Sequence, residues 1–504
     1  MTRPYPGWPA FLVSLLVLGL TLGTLAAVIL RSRGGTLQAA DWAALRFTLL
    51  QAALSAMVSV GLAIPLARAL ARRQFAGRGL LIVLLGAPFI LPVIVAIFGL
   101  LSVFGRNGVI SILLGWVGLP PMSIYGLHGV VLAHVFFNLP LATRLILQGW
   151  TAIPVERFRL AASLGVPVSR LLERPMLQAV VPGVTAIVFL LCLTSFAVAL
   201  TLGGGPAATT VELAIYQALR FDFDLGRAAV LATLQFGICA MITVIVVWMG
   251  RPLAIGVGLD RVPERYETGG VGVDALLIGG VTVFLGLPLV MAVGQGVPGL
   301  RELPLSVWFA MLRSVAVSLA SVALLLAMVL ALSVWPGRLR EVTGMLPLAA
   351  SSLVMGTGLY LLLANILPPA RLALPLTAVV NAVMALPFAL RAVAPAADQA
   401  ESGYGRLATS LNLSGWTRAR WLLLPRIRPS LGFAAGLTAA ISMGDLGIVA
   451  LFADTQTETL PLAMSRLMGA YRMEAAAGAG LLLLTVSLGL FWVFDRAGRA
   501  DAAP

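Results

Sequence analysis

Apolar stretches long enough to cross a bilayer recur along this chain, at roughly 9–30, 47–67, 80–104, 127–148, 180–201 and 227–249, and again at 273–293, 314–335, 344–364, 372–392, 431–453 and 475–494. A helix needs ~20 mainly apolar residues to span a hydrocarbon core about 30 Å thick. With no water in that core for backbone amides to bond, only helices and closed barrels can cross it. Barrel strands would give alternating segments of ~10 residues, and these runs are longer and uniform. The expected fold is therefore all-α and integral to the membrane, with about 12 transmembrane helices as two tandem sets of six. With 60% hydrophobic and only 11% charged residues, little of the chain is left for a soluble domain. The first run, Trp8 to Leu30, is long for a signal-peptide core and lacks a small-residue cleavage site, so it reads as a span.

All 34 basic residues are arginine. Without lysine the chain has neither the phosphate-loop lysine of an ATPase nor a Schiff-base amine. Two cysteines, Cys192 and Cys239, and two histidines, His128 and His134, fit no disulfide framework and no zinc cluster. The net charge of +14 is spread among the loops. With the amino terminus inside, 23 of the 34 arginines fall in cytoplasmic segments, among them Arg68, Arg72, Arg73 and Arg78. The positive-inside rule then places both termini, and the polar linker 251–272, in the cytoplasm. The charge reads as topology and not as a nucleic-acid surface.

The halves match at an offset of 247 residues, which points to duplication. Asn138-Leu-Pro-Leu-Ala-Thr-Arg144 pairs with Ala385-Leu-Pro-Phe-Ala-Leu-Arg391, and Arg159-Leu-Ala-Ala-Ser-Leu-Gly165 with Arg406-Leu-Ala-Thr-Ser-Leu-Asn412. At the same offset Pro182 meets Pro429, Ser195 meets Ser442 and Leu213 meets Leu460. The expected domains are a first repeat over 1–250, the linker, and a second repeat over 273–504, in the same orientation because six spans per copy is even.

The longest cytoplasmic loop of each half lies between its fourth and fifth spans, about 151–178 and 395–425. Pro154 and Glu156 suit a helix start, Gly165 and Pro167 its end. Leu160 and Leu164 then share one face of a short helix beside Arg159, Ala161 and Ser163. Leu407 and Leu411, with Arg406, Ala408 and Ser410, repeat this, and Asn412 takes the glycine position. Such a helix enters a groove of another protein, or it rests on lipid headgroups.

These segments resemble the cytoplasmic signature of binding-protein-dependent ABC importer permeases: Glu-Ala-Ala, three residues, Gly, then nine residues to Ile-x-Leu-Pro. The first copy reads Arg159-Leu160-Ala161 with Gly165 and Leu177-Gln178, the second Arg406-Leu407-Ala408 with Asn412 and Leu424-Pro425. Arg replaces both glutamates, Asn one glycine and Gln one proline. Leu91 to Arg106, Leu132 to Pro140, Leu202 to Pro206, Glu212 to Gln217 and Gly444 to Phe452 are similar to the fused two-repeat thiamine (thiamine pyrophosphate) importer permeases, with fused ferric-iron permeases sharing the plan. The resemblance implies a MetI-like fold and a transport subunit without catalytic activity in a bacterial inner membrane. It further implies two copies of an ABC ATPase subunit bound at the coupling residues and a periplasmic substrate-binding protein. ATP and magnesium would sit on the ATPase, with no cofactor on this chain and small-molecule substrate and lipid as its other partners. An ion-coupled carrier is the rival class, but its prominent cytoplasmic loop is expected between the halves rather than inside each.

Polar residues in apolar runs are costly and point to function or to local hydrogen bonding. Asp445 is either a carboxylate for a cationic substrate or a structural hydrogen-bond acceptor. His134 and Asn138 lie one turn apart, and Asn138 either satisfies the backbone loosened by Pro140 or faces substrate. The outer segment from Gly203 to Asp224, with Glu212 and Tyr216, is a gate or docking piece or an interfacial helix.

Overall fold

The computed structural model describes residues 5, 7–31, 35–86, 90–203, 205, 208–248, 270–335, 337–363, 366, 368–454 and 456–499. They form helices and no strands, as the apolar runs require. Among the described residues 11 helices are long and apolar enough to cross a membrane, or 12 if the sharply bent pair Leu339–Leu348 and Ser352–Leu363 is one span. Most of the linker, 251–269, lies outside the described residues.

The run at 80–104 is not one helix. It gives a short helix, Arg78–Leu84, then Val93–Phe104, which counts toward a span over Val93–Trp116. Pro92 caps the second piece, and a proline there cannot donate to a helix arriving from before it and restrains Leu91 from helical backbone.

The first span of each half sits on the other half. Thr24–Arg31 packs on Ser352–Leu363, and Val271–Gly299 packs on Val93–Phe104. Both crossings are close because the third span offers glycine: a Cβ on Gly99 would stand 2.3 Å from the Pro288 carbonyl oxygen, and one on Gly358 2.5 Å from Thr24. Arg72, last in the helix Ala39–Arg72, and Arg73 just after it also reach across to Asp274 at 2.5 and 2.7 Å. Leu12, Leu15, Met57, Leu62, Val283 and Val290 stay exposed on outer helix faces, as lipid-facing side chains do.

Candidate coupling sites and the polar seam between the halves

Pro154 ends one helix and starts another. After Leu127–Thr151 the chain breaks at Ala152 and Ile153, and Val155–Ser163 follows with Glu156 in its first turn. Gly165 then takes a left-handed φ of 62°, and the Val166 N–H donates to the Ala161 carbonyl at 3.1 Å. In the second half Asn412 takes a φ of 56°, and the Leu413 N–H donates to the Ala408 carbonyl at 2.9 Å. Asparagine tolerates this backbone better than any other side chain, so the turn survives the loss of glycine.

The two turns present the same surface. Leu160 and Leu407 are 55% and 56% exposed, and Leu164 and Leu411 are both 62% exposed. Ala161 and Ala408 are buried behind them. The Ser163 and Ser410 hydroxyls donate back to the carbonyls of Leu160 and Leu407, at 2.9 and 2.8 Å, while Arg159 and Arg406 are exposed. The expected short second helix is absent, however. Its residues end one continuous helix, Pro369–Ser410, because Ala400 and Glu401 stand where the first half has Ile153 and Pro154.

The supports differ too. Behind the first turn Glu173 accepts from Arg68 at 2.9 Å and from the Trp150 indole at 3.3 Å. Behind the second, Glu401 accepts from Arg418 at 2.5 Å and from the Tyr5 hydroxyl at 2.7 Å. A π-helical turn follows in each half, Ser169–Glu173 and Ala419–Leu423, and leads into the helices Arg174–Leu193 and Leu424–Met443. Those helices begin 250 residues apart, so the offset of 247 ends at these turns. The extra helical turn Gly415–Arg418 accounts for the shift. Pro175 and Pro425 consequently occupy the same second position of their helices, and the proline that looked replaced by Gln178 is present. Cys192, not Ser195, corresponds to Ser442, and Val211, not Leu213, to Leu460, each first in its short helix.

The interior candidates fall into two groups. His134 and Asn138 are buried within the first half: His134 Nδ1 is 3.3 Å from the Ser55 hydroxyl, and the Asn138 amide donates to the His134 carbonyl at 2.9 Å and to Cys192 Sγ at 3.3 Å. The carbonyl that Pro140 releases, that of Phe136, is not among its acceptors. Glu212, Tyr216 and Asp445 lie instead where the halves meet. Glu212 accepts from Gln235 at 3.3 Å and lies near Ser351 of the second half, and burial pushes its carboxyl up to about 8. Tyr216 stacks edge-on against Phe196 and Phe221, with ring centres 5.2 and 5.7 Å away. Asp445 sits in the break between Leu424–Met443 and Gly447–Phe452, where Oδ1 accepts from the Gly447 N–H at 3.3 Å and Oδ2 has no hydrogen-bond partner among the described residues.

No family model matches the chain. It is 38% identical over 507 residues to the thiamine transport system permease protein ThiP of Brucella abortus (strain 2308), covering 95% of this chain and 93% of that protein. To the protein of the same name in Salmonella typhimurium it is 37% identical, covering 97% of each, and to that of Escherichia coli K12 38%, covering 90% and 89%. The chain belongs to the thiamine transport permease family. It is thus a multi-pass membrane transport permease.

The sequence reading of this permease missed the residues that finish its broken spans. Arg174–Leu193 ends inside the protein, and the amides of Gln51 and Gln235 donate to the buried helix-end carbonyls of Cys192 and Leu193 at 2.9 and 3.0 Å. In the second half Ser318 donates to Ala439 at 3.0 Å, and Ser321 and Asn381 meet the Ser442 hydroxyl at 3.0 and 3.1 Å. A lone glutamine or asparagine in an apolar run was the available signal. Of the Gly203 to Pro206 turn, Gly204 and Pro206 lie outside the described residues.

Proposed function

We propose that this permease is the membrane-spanning subunit of an ATP-driven importer for thiamine or its phosphates, built from two tandem repeats over 1–250 and 273–504. Two copies of an ABC ATPase engage the exposed turns Arg159–Gly165 and Arg406–Asn412, one each, and a periplasmic binding protein delivers substrate to the opposite face. ATP and magnesium stay on the ATPase, and this chain binds no cofactor. Both termini and the linker face the cytoplasm of a bacterial inner membrane. Closure of the ATPase pair drives the turns together, and the halves rock about their seam. The observation that carries this reading is the pair of leucine steps, matched in exposure and cap, on a chain related throughout its length to proteins named for thiamine transport. At the seam, Glu212 and Tyr216 guard the outer mouth. Asp445, with one carboxylate oxygen unused, supplies a counter-charge for the thiazolium ring, whereas His134 and Asn138 border the path through the first half.

The test is uptake of labelled thiamine into proteoliposomes holding the permease, its ATPase and its binding protein. ATP-dependent accumulation is expected, with none from the permease alone under a proton or sodium gradient. Accumulation by the lone chain would overturn the reading in favour of an ion-coupled carrier.

A further inference from the structure

A cavity of about 220 Å³ lies between the helices Arg338–Ala349 and Pro369–Ser410. Gly344, Met345, Pro387 and Leu390 give it an apolar wall, and the Arg391 guanidinium borders it. Asp398 at its edge is already held by two bonds from Arg340, at 2.7 and 2.9 Å, and Glu341 is exposed to solvent in the first turn of its helix. Arg391 is half-buried, and its one hydrogen bond is to the Met345 thioether at 3.5 Å. No carboxylate among the described residues lies within ion-pair distance of it. A guanidinium carries five donors and cannot shed its charge, so one taken out of water demands an anionic acceptor. Arg391 also borders a smaller cavity, about 20 Å³, whose other walls include Ile187, Leu191 and Thr243 of the first half. It therefore stands at the seam along which two such halves move to pass substrate. Arg144, at the matching position of the first half, is likewise half-buried and free of any ion pair among the described residues.

We infer that the Arg391 cavity is a phosphate-binding step of the transport path, taking the phosphate group of a phosphorylated substrate after it leaves the outer face. This rests on the import of thiamine compounds proposed above and names a residue that favours their phosphate esters over the unphosphorylated compound. A planar fork of N–H donors fits phosphate oxygens in pairs, and the cavity holds the group beside a guanidinium that has no ion pair among the described residues. A lipid headgroup offers the same oxygens, so the experiment separates the two sources.

The full complex, with Arg391→Gln or Arg391→Lys, is reconstituted and its uptake of thiamine, thiamine monophosphate and thiamine pyrophosphate compared. In Arg391→Gln the ratio of phosphorylated to unphosphorylated uptake is expected to fall ~10-fold or more, the loss of a charged hydrogen bond; Arg391→Lys restores part of it. Equal loss of all three uptakes, the result expected of a lipid or packing role, overturns the inference, as does an unchanged ratio. In parallel, binding of inorganic pyrophosphate to the detergent-purified complex is measured by calorimetry and is expected to weaken ~10-fold in Arg391→Gln. If the wild type imports no thiamine compound, the substrate reading fails; pyrophosphate binding that depends on Arg391 then still supports the site, and its absence removes the site as well.

Discussion

The two leucine-bearing turns, Arg159–Gly165 and Arg406–Asn412, are alike in what they show to solvent and unlike in how they are held. Both place a pair of leucines outward at nearly equal exposure, and both close with a left-handed residue and the same backbone bond. The first, however, rides on a nine-residue helix set off by Pro154, and the second ends a helix of 42 residues that continues into the membrane. The surface a partner would feel is the same at both turns, while the mounts differ. If the turns receive an ATPase as proposed, the break behind the first would leave it free to tilt on its own, whereas the unbroken helix would carry displacement of the second directly into the bundle. Sameness of docking and difference of transmission can be attacked separately.

The largest effect is expected from Leu160→Asp combined with Leu407→Asp. A central apolar contact is worth ~2 kcal/mol or more in an interface, and a charge in its place adds desolvation cost, so stimulated ATP turnover should disappear. Each single change should weaken ATPase binding to a similar degree, because the exposures match. Strongly unequal single effects in a binding titration would break the claim that the two surfaces are equivalent.

Gln399→Pro sharpens the other side of the comparison. Gln399 is exposed within Pro369–Ser410, and a proline there removes a backbone donor and crowds the carbonyl of residue 395, costing ~3 kcal/mol locally. The second mount would then be broken like the first. Uptake is expected to fall ~10-fold while ATPase binding persists, the loss following from the local penalty. Undiminished uptake would mean that continuity of the long helix does not transmit force.

The halves differ also in their short helices after the fifth span. Glu212 is the second residue of Val211–Arg220, where Leu460–Gly469 has Pro461. Burial raises the Glu212 carboxyl from 4.5 to about 8, so the folded state holds its proton more tightly than the unfolded one. Its contribution to stability is therefore fully present below pH ~4.5 and declines as pH rises toward ~8. Glu212→Gln, neutral throughout, should flatten this slope in thermal unfolding measured between pH 6 and pH 9. An identical slope in the variant would remove Glu212 as its source.

Much of this was legible in the sequence, for reasons that the exceptions clarify. Span count and helix type followed from run length, because the bilayer leaves the backbone no other solution. The two turns themselves were legible because capping chemistry is local: Gly165 and Asn412 declare a left-handed residue by type. Helix continuity was not, since the contrast between Pro154 and Glu401 shows only when the halves are laid side by side. The register beyond Gly165 was misread because the turn Gly415–Arg418 adds length without changing the pattern of apolar residues. The positions of Gln51, Gln235 and Asn381 opposite helix ends, and the crossing of each first span onto the other half, depend on contacts between residues far apart in sequence, which periodicity does not encode.

The smallest effect tests whether the second mount needs its strap. Tyr5 and Glu401 are 396 residues apart, yet the phenol donates to the carboxylate at 2.7 Å, and the Arg418 guanidinium lies 5.9 Å from the ring centre. Tyr5→Phe removes the hydrogen bond and keeps the ring beneath Arg418, so the loss is limited to one charged hydrogen bond at a partly exposed acceptor, ~1 kcal/mol. Burial and the neighbouring Glu401 carboxylate push the phenol well above its ordinary pKa, so it stays protonated through the working range and the effect should not change with pH. Hydrogen exchange across 399–412 is expected to quicken ~5-fold in Tyr5→Phe, the factor corresponding to that energy, with exchange across 155–165 unchanged. Quickening at both turns would mean that the amino-terminal segment steadies the coupling face as a whole, and the two mounts would then be less independent than their separate ion pairs imply.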